Sequence, residues 1–211
     1  MKIILLGAPN SGKGTLSANL NEELGFIGVS TGDLLRKEIA SGSELGQHIN
    51  SLISVGKLVE SETVITLMKN YINSLPADAN LMFDGFPRTV EQAVSLEKIA
   101  RIDAVLFLDV DEKTIMERAL GRISCPKCGQ IYNRAWYKAE DCEKCGEKLV
   151  VRSDDNEESV KTRIEVYKKS TYPLIEHYKK AGLLETIDAG KDASFTLKQA
   201  LEILNNIEAN K

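Results

Sequence analysis

The stretch GAPNSGKGT, residues 7–15, has the residue types of a phosphate site and stands between an apolar run and a helical pattern. It fits G-x-x-x-x-G-K, a loop whose backbone N–H groups surround phosphates at a helix N-terminus. Gly7 and Gly12 permit the turn and the close approach of the backbone. Lys13 can reach the β- and γ-phosphates. A glycine-rich turn that binds nothing is the alternative, and the strand–loop–helix context argues against it.

A second candidate site is a cluster of cysteines in one short stretch of the chain. All four cysteines form C-x₂-C-x₁₃-C-x₂-C, namely Cys125, Cys128, Cys142 and Cys145. Four thiolates complete a tetrahedral Zn²⁺ shell with no open position, so the pattern predicts a structural metal site. The 13-residue spacer is shorter than the usual range of about 15–20. Four unliganded thiols, or iron in place of zinc, are the alternatives.

The composition favours a globular protein and disfavours several partners. The chain has 211 residues, of which 43% are hydrophobic and 27% charged, with a net charge of −4. Proteins that bind long nucleic acids through their phosphates are usually basic, so we expect no nucleic-acid partner. No apolar run approaches a membrane span, and the first apolar run is too short for a signal peptide. We therefore expect no membrane partner and a reducing cytoplasm, where paired cysteines favour a metal over disulfides.

Short apolar runs alternate with longer amphipathic segments. The predicted strands are 2–7, 26–30, 81–86, 104–110 and 183–188, and helical patterns cover 61–74 and 111–122. This alternation predicts an α/β fold with a parallel sheet and helices on both faces. Ligands of such sheets bind beyond the carboxyl ends of the strands.

The alternation stops over residues 123–151 and resumes at a predicted helix start. We interpret 123–151 as a small insertion. We expect Trp136 and Tyr137 to pack inside it, and stacking of these rings on a base is the alternative. His48 and His177 have no partner spacing and are interpreted as surface or packing residues. The helix start is marked by acids, as in a capping box, at Asp154, Asp155, Glu157 and Glu158.

Several motifs, in order along the whole chain, resemble those of the adenylate kinase family of nucleoside monophosphate kinases. They are GKGT (12–15), STGDLLR (30–36), SGSELG (41–46), GKLV (56–59), DGFPRT (84–89) with Gln92, GR (121–122) and RSDDNEE (152–158) with Arg163. With the four cysteines, the chain resembles the long-lid, zinc-containing bacterial type. Two positions are distinctive. Gly14 stands where a Ser or Thr is usual in phosphate loops, and Asn10 stands where the family usually has Gly; Asn tolerates a positive φ better than other residues with side chains.

The resemblance implies a three-part architecture around a five-stranded parallel sheet. The core comprises 1–29, 60–120 and 156–211, an NMP-binding helical insertion covers 30–59, and a zinc-binding lid covers 121–155. The cysteines lie between two arginines expected to touch phosphates, Arg122 and Arg152. A lid this small cannot bury a core of its own, so we expect zinc to provide its rigidity.

The resemblance also implies site residues. Those for ATP are Asn10, Ser11, Gly12, Lys13, Gly14, Thr15, Arg118, Arg122, Ile131, Tyr132 and Lys191. Those for AMP are Thr31, Arg36, Lys57, Leu58, Val59, Gly85, Phe86, Pro87, Arg88, Gln92, Arg152 and Arg163. Those expected to be catalytic are Lys13, Arg88, Arg122, Arg152 and Arg163. Asp33 and Asp84 follow strands and are candidates to hold hydrated Mg²⁺.

The implied reaction is ATP + AMP ⇌ 2 ADP, by direct in-line transfer in a monomer. Phosphoryl transfer depends on alignment and charge stabilisation, which suits arginine forks. Arg152 and Arg163 are eleven residues apart and share a face if the helix extends back to 152. A kinase for UMP, CMP or GMP is the nearest alternative. A zinc-ribbon protein that binds nucleic acid, with the phosphate loop as a switch, is the alternative from another class.

Overall fold

The computed structural model describes residues 1–210, so Lys211, the last residue of the predicted core, lies outside the described residues. The strands are β1 (Lys2–Gly7), β2 (Ile27–Ser30), β3 (Leu81–Asp84), β4 (Ala104–Asp109), β5 (Arg122–Ser124), β6 (Ile131–Asn133) and β7 (Leu184–Asp188). Five of them form one sheet in the order β2-β3-β1-β4-β7, and every pairing in it is parallel. The predicted five-stranded parallel sheet is confirmed, with strand ends that differ by one or two residues.

The central strand β1 has apolar residues on both of its faces. Ile4 and Leu6 belong to one buried cluster, whereas Ile3 and Leu5 belong to another on the opposite side of the sheet. Successive side chains of a strand point to opposite faces, so an uninterrupted apolar run is what a strand covered on both sides requires. The sheet is therefore a rigid base for the loops at its carboxyl edge.

Helices cover both faces of the sheet. They are α1 (Lys13–Leu24), α2 (Thr31–Ala40), α3 (Glu44–Ile53), α4 (Ser61–Asn73), α5 (Val90–Glu97), α6 (Glu112–Leu120), α7 (Glu157–Val166), α8 (Pro173–Lys180) and α9 (Ala193–Ala209), with a π-helical turn at Tyr167–Thr171. The helices predicted at 61–74 and 111–122 correspond to α4 and α6. None of the helices in the described part of the chain is long and apolar enough to cross a membrane.

The predicted start of the helix after the insertion was wrong in its details. The cap of α7 is Asn156, whose side chain accepts a hydrogen bond from the Ser159 amide. Asp154 and Asp155 lie before the cap and bind arginine side chains. Arg152 therefore precedes the helix, so no shared helical face brings it to Arg163.

The insertion has its own small secondary structure. β5 and β6 pair antiparallel, and isolated bridges join Ser124 to Val150 and Asp141 to Lys148. These strands have three residues each, too short to give a periodic signal in the sequence.

The two aromatic residues predicted to pack the insertion differ in environment. Tyr137 stacks on Tyr132, with ring centroids 4.2 Å apart, as predicted. The prediction was wrong for Trp136, which is 71% exposed and lines the main cleft. Trp136 is thus exposed on the cleft side of the insertion.

Candidate active site

A cleft of about 750 Å³ opens at the carboxyl edge of the sheet. Its walls come from the ends of β1 and β3, the start of α2, the 121–155 insertion and α7. This is the position expected for a ligand of a parallel α/β sheet. A small apolar hollow lies between α2 and α4, separate from this cleft.

The phosphate loop, residues 7–15, joins β1 to α1 at the floor of the cleft. Gly12 caps α1 with a φ of 104°, and Asn10 has a φ of 60°, in the left-handed region that Asn tolerates. A Cβ on Gly7 would lie 2.9 Å from the Leu108 carbonyl oxygen, so only glycine fits there. The family's usual glycine at position 10 is thus replaced by the residue type best able to keep that backbone conformation.

Lys13 folds back onto the phosphate loop. Its ammonium group donates to the carbonyl oxygens of Gly7 and Ala8, at 2.9 and 2.7 Å. Burial lowers the pKa of Lys13 to about 8, and the Asp84 carboxylate opposes this shift. Burial likewise raises the pKa of Asp84, and Lys13 is the largest opposing influence. The pair supplies one cation at the phosphate loop and one acid at the end of β3.

Besides Arg118, five arginines line the cleft. They are Arg36, Arg88, Arg122, Arg152 and Arg163. Burial lowers the pKa of Arg88 to about 10, with a further contribution from Arg163. Burial also lowers the pKa of Arg152 to about 10, and the positive charge of Arg122 lowers it further. Cations held together in this way form a strong binding site for several phosphate groups.

Two acids hold part of this cluster, and sequence reasoning missed them. Arg122 donates through Nε and Nη2 to the Asp155 carboxylate, which is 0% exposed. Arg163 donates to Asp154 at 2.9 Å and lies 3.6 Å from Asp155. Asp154 and Asp155 were interpreted as helix-capping residues, so their ion pairs with arginines were not predicted. The signal available was their position directly after a predicted phosphate-binding arginine, Arg152.

Arg118 connects the phosphate loop to the loop after β7. Its guanidinium donates to the carbonyl oxygens of Ser11 at 3.2 Å, Ala189 at 2.9 Å and Lys191 at 3.0 Å. The Lys191 ammonium lies over the Phe195 ring, 4.1 Å from its centroid. Only the backbone of Lys191 therefore takes part in this connection.

The residues predicted for AMP divide into cleft residues and buried supports. Thr31 donates to the Gly85 carbonyl at 2.8 Å, and the side-chain oxygen of Gln92 accepts from the Arg88 amide at 2.8 Å. Cleft-lining members are Arg36, Leu58, Gly85, Pro87, Arg88, Arg152 and Arg163. Thr31, Val59, Phe86 and Gln92 are buried, and Lys57 is exposed outside the cleft lining.

The insertion lies over the phosphate loop. A methyl group at Gly14 would be 3.1 Å from Ile131 Cδ1, tighter than an ordinary contact. Gly14, the position where phosphate loops usually carry Ser or Thr, thus leaves room for the strand β6 above it. Thr15, the hydroxyl residue that follows Gly14, lines the cleft as well.

The cysteine cluster fits a tetrahedral zinc ion. The four Sγ atoms lie within 4.8 Å of one another, with Cys125 to Cys145 at 3.4 Å and Cys128 to Cys142 at 3.5 Å. A tetrahedron with Zn–S bonds of about 2.3 Å has edges of about 3.8 Å. The amide of Cys128 also points at Cys125 Sγ, at 3.4 Å, as is favourable for a thiolate.

Two equivalent turns carry the four sulfur atoms. In the first, the Gly129 amide donates to the Cys125 carbonyl at 3.0 Å; in the second, Gly146 donates to Cys142 at 2.8 Å. Both glycines have positive φ, 77° and 73°. The glycine of each repeated C-x-K-C-G segment is therefore required by the turn, and the four sulfur atoms together could hold a metal ion.

The fold and cleft define the class of protein: a P-loop α/β nucleotide phosphotransferase. A family model described as adenylate kinase matches residues 5–183. The adenylate kinase of Caldicellulosiruptor saccharolyticus is 40% identical over 212 residues, which span 97% of this chain and 99% of that protein. That of Archaeoglobus fulgidus is 37% identical over 217 residues, spanning 99% and 100%. The chain belongs to the adenylate kinase family.

This result confirms the family predicted from the motifs. It leaves the assignment of single residues to ATP, AMP and metal as predictions.

Proposed function

We propose that the protein catalyses the reversible transfer of the ATP γ-phosphoryl group to AMP, giving two ADP. The observation that carries this proposal is the convergence of five arginines on one cleft whose floor is a phosphate loop. Two nucleotides bring several negative charges together, and one phosphate-binding loop cannot neutralise both. A cleft built for a single nucleotide would not need five arginines in addition to the phosphate loop and Lys13.

The chain's own residues supply alignment and charge in this reaction. We propose that the phosphate loop and Arg118 hold ATP, and that Arg36, Arg88 and the segment 57–59 hold AMP. Arg122, Arg152 and Arg163 would then face the transferring group, where negative charge spreads over its oxygens. No general base is required, because the AMP phosphate is largely ionised at neutral pH (pKa about 6).

Magnesium accompanies ATP in adenylate kinases, and two acids in the cleft are suited to hold its hydration shell. Bound Mg²⁺ supplies charge neutralisation at the β- and γ-phosphates. Asp84 ends β3 beside Lys13, and Asp33 opens α2 and bonds Arg36 at 2.6 Å. We propose that Asp84 accepts hydrogen bonds from metal-bound water, with Asp33 assisting from the AMP side.

The cleft further supports a division into a core, an AMP clamp at 30–59 and a zinc lid at 121–155. Closure of the lid over the phosphate loop would exclude water, the competing acceptor of the phosphoryl group. We also propose a cytoplasmic monomer without a nucleic-acid partner, in keeping with the net charge of −4. Light scattering tests the monomeric state, and a gel shift with RNA and DNA tests the absence of a nucleic-acid partner.

The test is phosphoryl transfer from MgATP to AMP, GMP, CMP and UMP, followed by ³¹P NMR, with acceptor-free and EDTA-treated reactions as controls. We expect ADP from AMP alone and no phosphate release without acceptor. Turnover with another monophosphate would support the proposed mechanism and require a different acceptor specificity. Absence of transfer to all four, with zinc present, would overturn the proposal.

The pKa of Lys13 predicts a pH dependence of donor binding. In the free enzyme this pKa is lowered from 10.5 to about 8, so the ammonium is charged below pH 8 and neutral above it. Phosphates bind the charged form, so binding above pH 8 requires proton uptake. We expect the affinity for a non-hydrolysable ATP analogue to be constant from pH 6.5 to 7.5 and to fall by up to about tenfold per pH unit above 8.

Isothermal titration in two buffers of different ionisation enthalpy measures both the affinity and the proton uptake. A Lys13→Met variant is the control, and its affinity should not change over the same interval. Affinity that stays constant in the parent enzyme up to pH 9.5 would contradict the prediction.

Removal of zinc is expected to loosen the insertion and leave the core folded. The insertion is joined by a few short strand pairings, whereas the sheet has its own buried clusters. Metal binding thus supplies much of the insertion's folding free energy. We expect chelation to lower the first melting transition and to expose the 121–155 segment to protease, with little change in far-UV circular dichroism. An unchanged melting curve and digestion pattern would refute this.

A further inference from the structure

We propose that Tyr132 is a positioning residue that couples the cysteine cluster to the strand lying over the phosphate loop. Tyr132 was predicted to cover the nucleotide, and it does line the cleft. Its hydroxyl, however, lies 3.3 Å from Cys142 Sγ. With a thiolate bound to metal, the hydroxyl is the donor of this hydrogen bond. The inference rests on the proposed zinc site and on ATP binding at the phosphate loop.

The contact belongs to a wider connection between β6 and the second cysteine turn. Tyr137 stacks on Tyr132, and its own hydroxyl donates to the Asp141 carbonyl at 2.7 Å. Asp141 directly precedes Cys142, so both tyrosines fasten the same turn to β6. Outer contacts of this kind orient metal ligands, and their loss typically weakens metal binding about 10- to 100-fold.

The other residues of β6 transmit the position of Tyr132 to the active site. Neighbouring side chains in a strand point to opposite faces. Ile131 accordingly faces Gly14 of the phosphate loop, whereas Tyr132 faces the cysteines. Asn133, two residues after Ile131, donates to the Arg118 carbonyl at 3.2 Å. A shift of Tyr132 toward or away from Cys142 therefore moves Ile131 relative to the phosphate loop.

Coupling between two sites is reciprocal at equilibrium. If the metal holds β6 over the phosphate loop, a nucleotide bound beneath β6 must also stabilise the metal site. We therefore expect ATP to slow the loss of zinc, although no group of the nucleotide is a metal ligand in this arrangement. Removal of the Tyr132 hydroxyl should weaken this effect, because it deletes the hydrogen bond to Cys142 and leaves the Tyr132 ring in the cleft lining.

The experiment measures zinc release from the zinc-loaded protein to a chromophoric chelator, with and without a non-hydrolysable ATP analogue. In the parent protein the analogue should slow release several-fold. Tyr132→Phe keeps the ring and removes the hydrogen bond, so release without analogue should be about tenfold faster, and the analogue should slow it less. Tyr172→Phe, a substitution of an exposed tyrosine far along the chain, is the matched control and should behave as the parent.

Three results would overturn the proposal: equal release rates in Tyr132→Phe and the parent, equal slowing by the analogue in both, or a protein that retains no zinc after reconstitution. Circular dichroism of each variant shows whether it is folded. If Tyr132→Phe does not fold, the analogue effect in the parent protein still decides, because its absence contradicts the coupling. Failure of the proposed function is distinguishable, since zinc release needs no turnover and the acceptor panel needs no variant.

Discussion

Replacement of Lys13 by methionine is expected to lower kcat/KM for phosphoryl transfer by about 10²- to 10³-fold. Methionine keeps the length and apolar stem of the side chain and removes the charge. Lys13 is the cation of the phosphate loop, held next to it by the carbonyl oxygens of Gly7 and Ala8. We expect bound phosphates to take the place of these carbonyl oxygens as its partners.

Steady-state kinetics with MgATP and AMP test this prediction. Lys198→Met, at an exposed position of α9, is the matched control and should leave kcat/KM unchanged. Because Lys13 also offsets the burial of Asp84, its loss should raise the pKa of that carboxyl further. The activity that remains should therefore fall at a higher pH on acidification than in the parent. A loss of less than threefold in kcat/KM would contradict the assigned role.

Replacement of Asp155 by asparagine is expected to destabilise the ligand-free protein by about 3 kcal/mol and to lower its melting temperature by about 6–12 °C. Asp155 is fully buried and accepts two hydrogen bonds from Arg122, with Arg163 3.6 Å away. Asparagine fits the same space but carries no charge. Two guanidinium groups then lose their shared counter-charge while they remain in a partly buried cluster with Arg152.

A polyanion should restore part of the stability that Asp155→Asn loses. Such a recovery would show that the loss is electrostatic and does not come from misfolding of the variant. Tripolyphosphate brings negative charge to the same arginines, so it should raise the melting temperature of Asp155→Asn more than that of the parent. Asp78→Asn, at an exposed position between α4 and β3, is the matched control. The prediction fails if Asp155→Asn melts within 2 °C of the parent, or if tripolyphosphate stabilises both proteins equally.

The local patterns of the chain were sufficient for the sheet and for the phosphate loop. A short apolar run such as KIILLG, ended by Gly, fits a strand covered on both faces, and G-x-x-x-x-G-K specifies its loop by backbone geometry. The four cysteines were sufficient to predict a cluster of sulfur atoms that could hold a metal ion, because the spacing within each C-x-x-C is set by one turn. In each case the interacting residues are close in sequence, so the pattern records the structure directly.

The contacts between residues far apart in the sequence could not be predicted from local patterns. Asp154 and Asp155 have the composition of a helix start, and their binding to Arg122 and Arg163 became visible only with the chain folded. Trp136 and Tyr137 are adjacent and similar in sequence, yet one is exposed on the cleft side and the other stacks on Tyr132. A side chain of either kind suits both environments, so composition could not distinguish them.

The sequence by itself determined the class of fold, the family, the phosphate loop and the cysteine cluster, since each depends on short-range geometry. Only the tertiary structure decided that Arg122 bonds Asp155 across 33 residues, that Ile131 lies against Gly14, and that Tyr132 reaches Cys142. The physical reason is that charges and hydroxyls are satisfied by any suitable partner nearby. Which partner is nearby depends on how the sheet and the insertion are arranged in space.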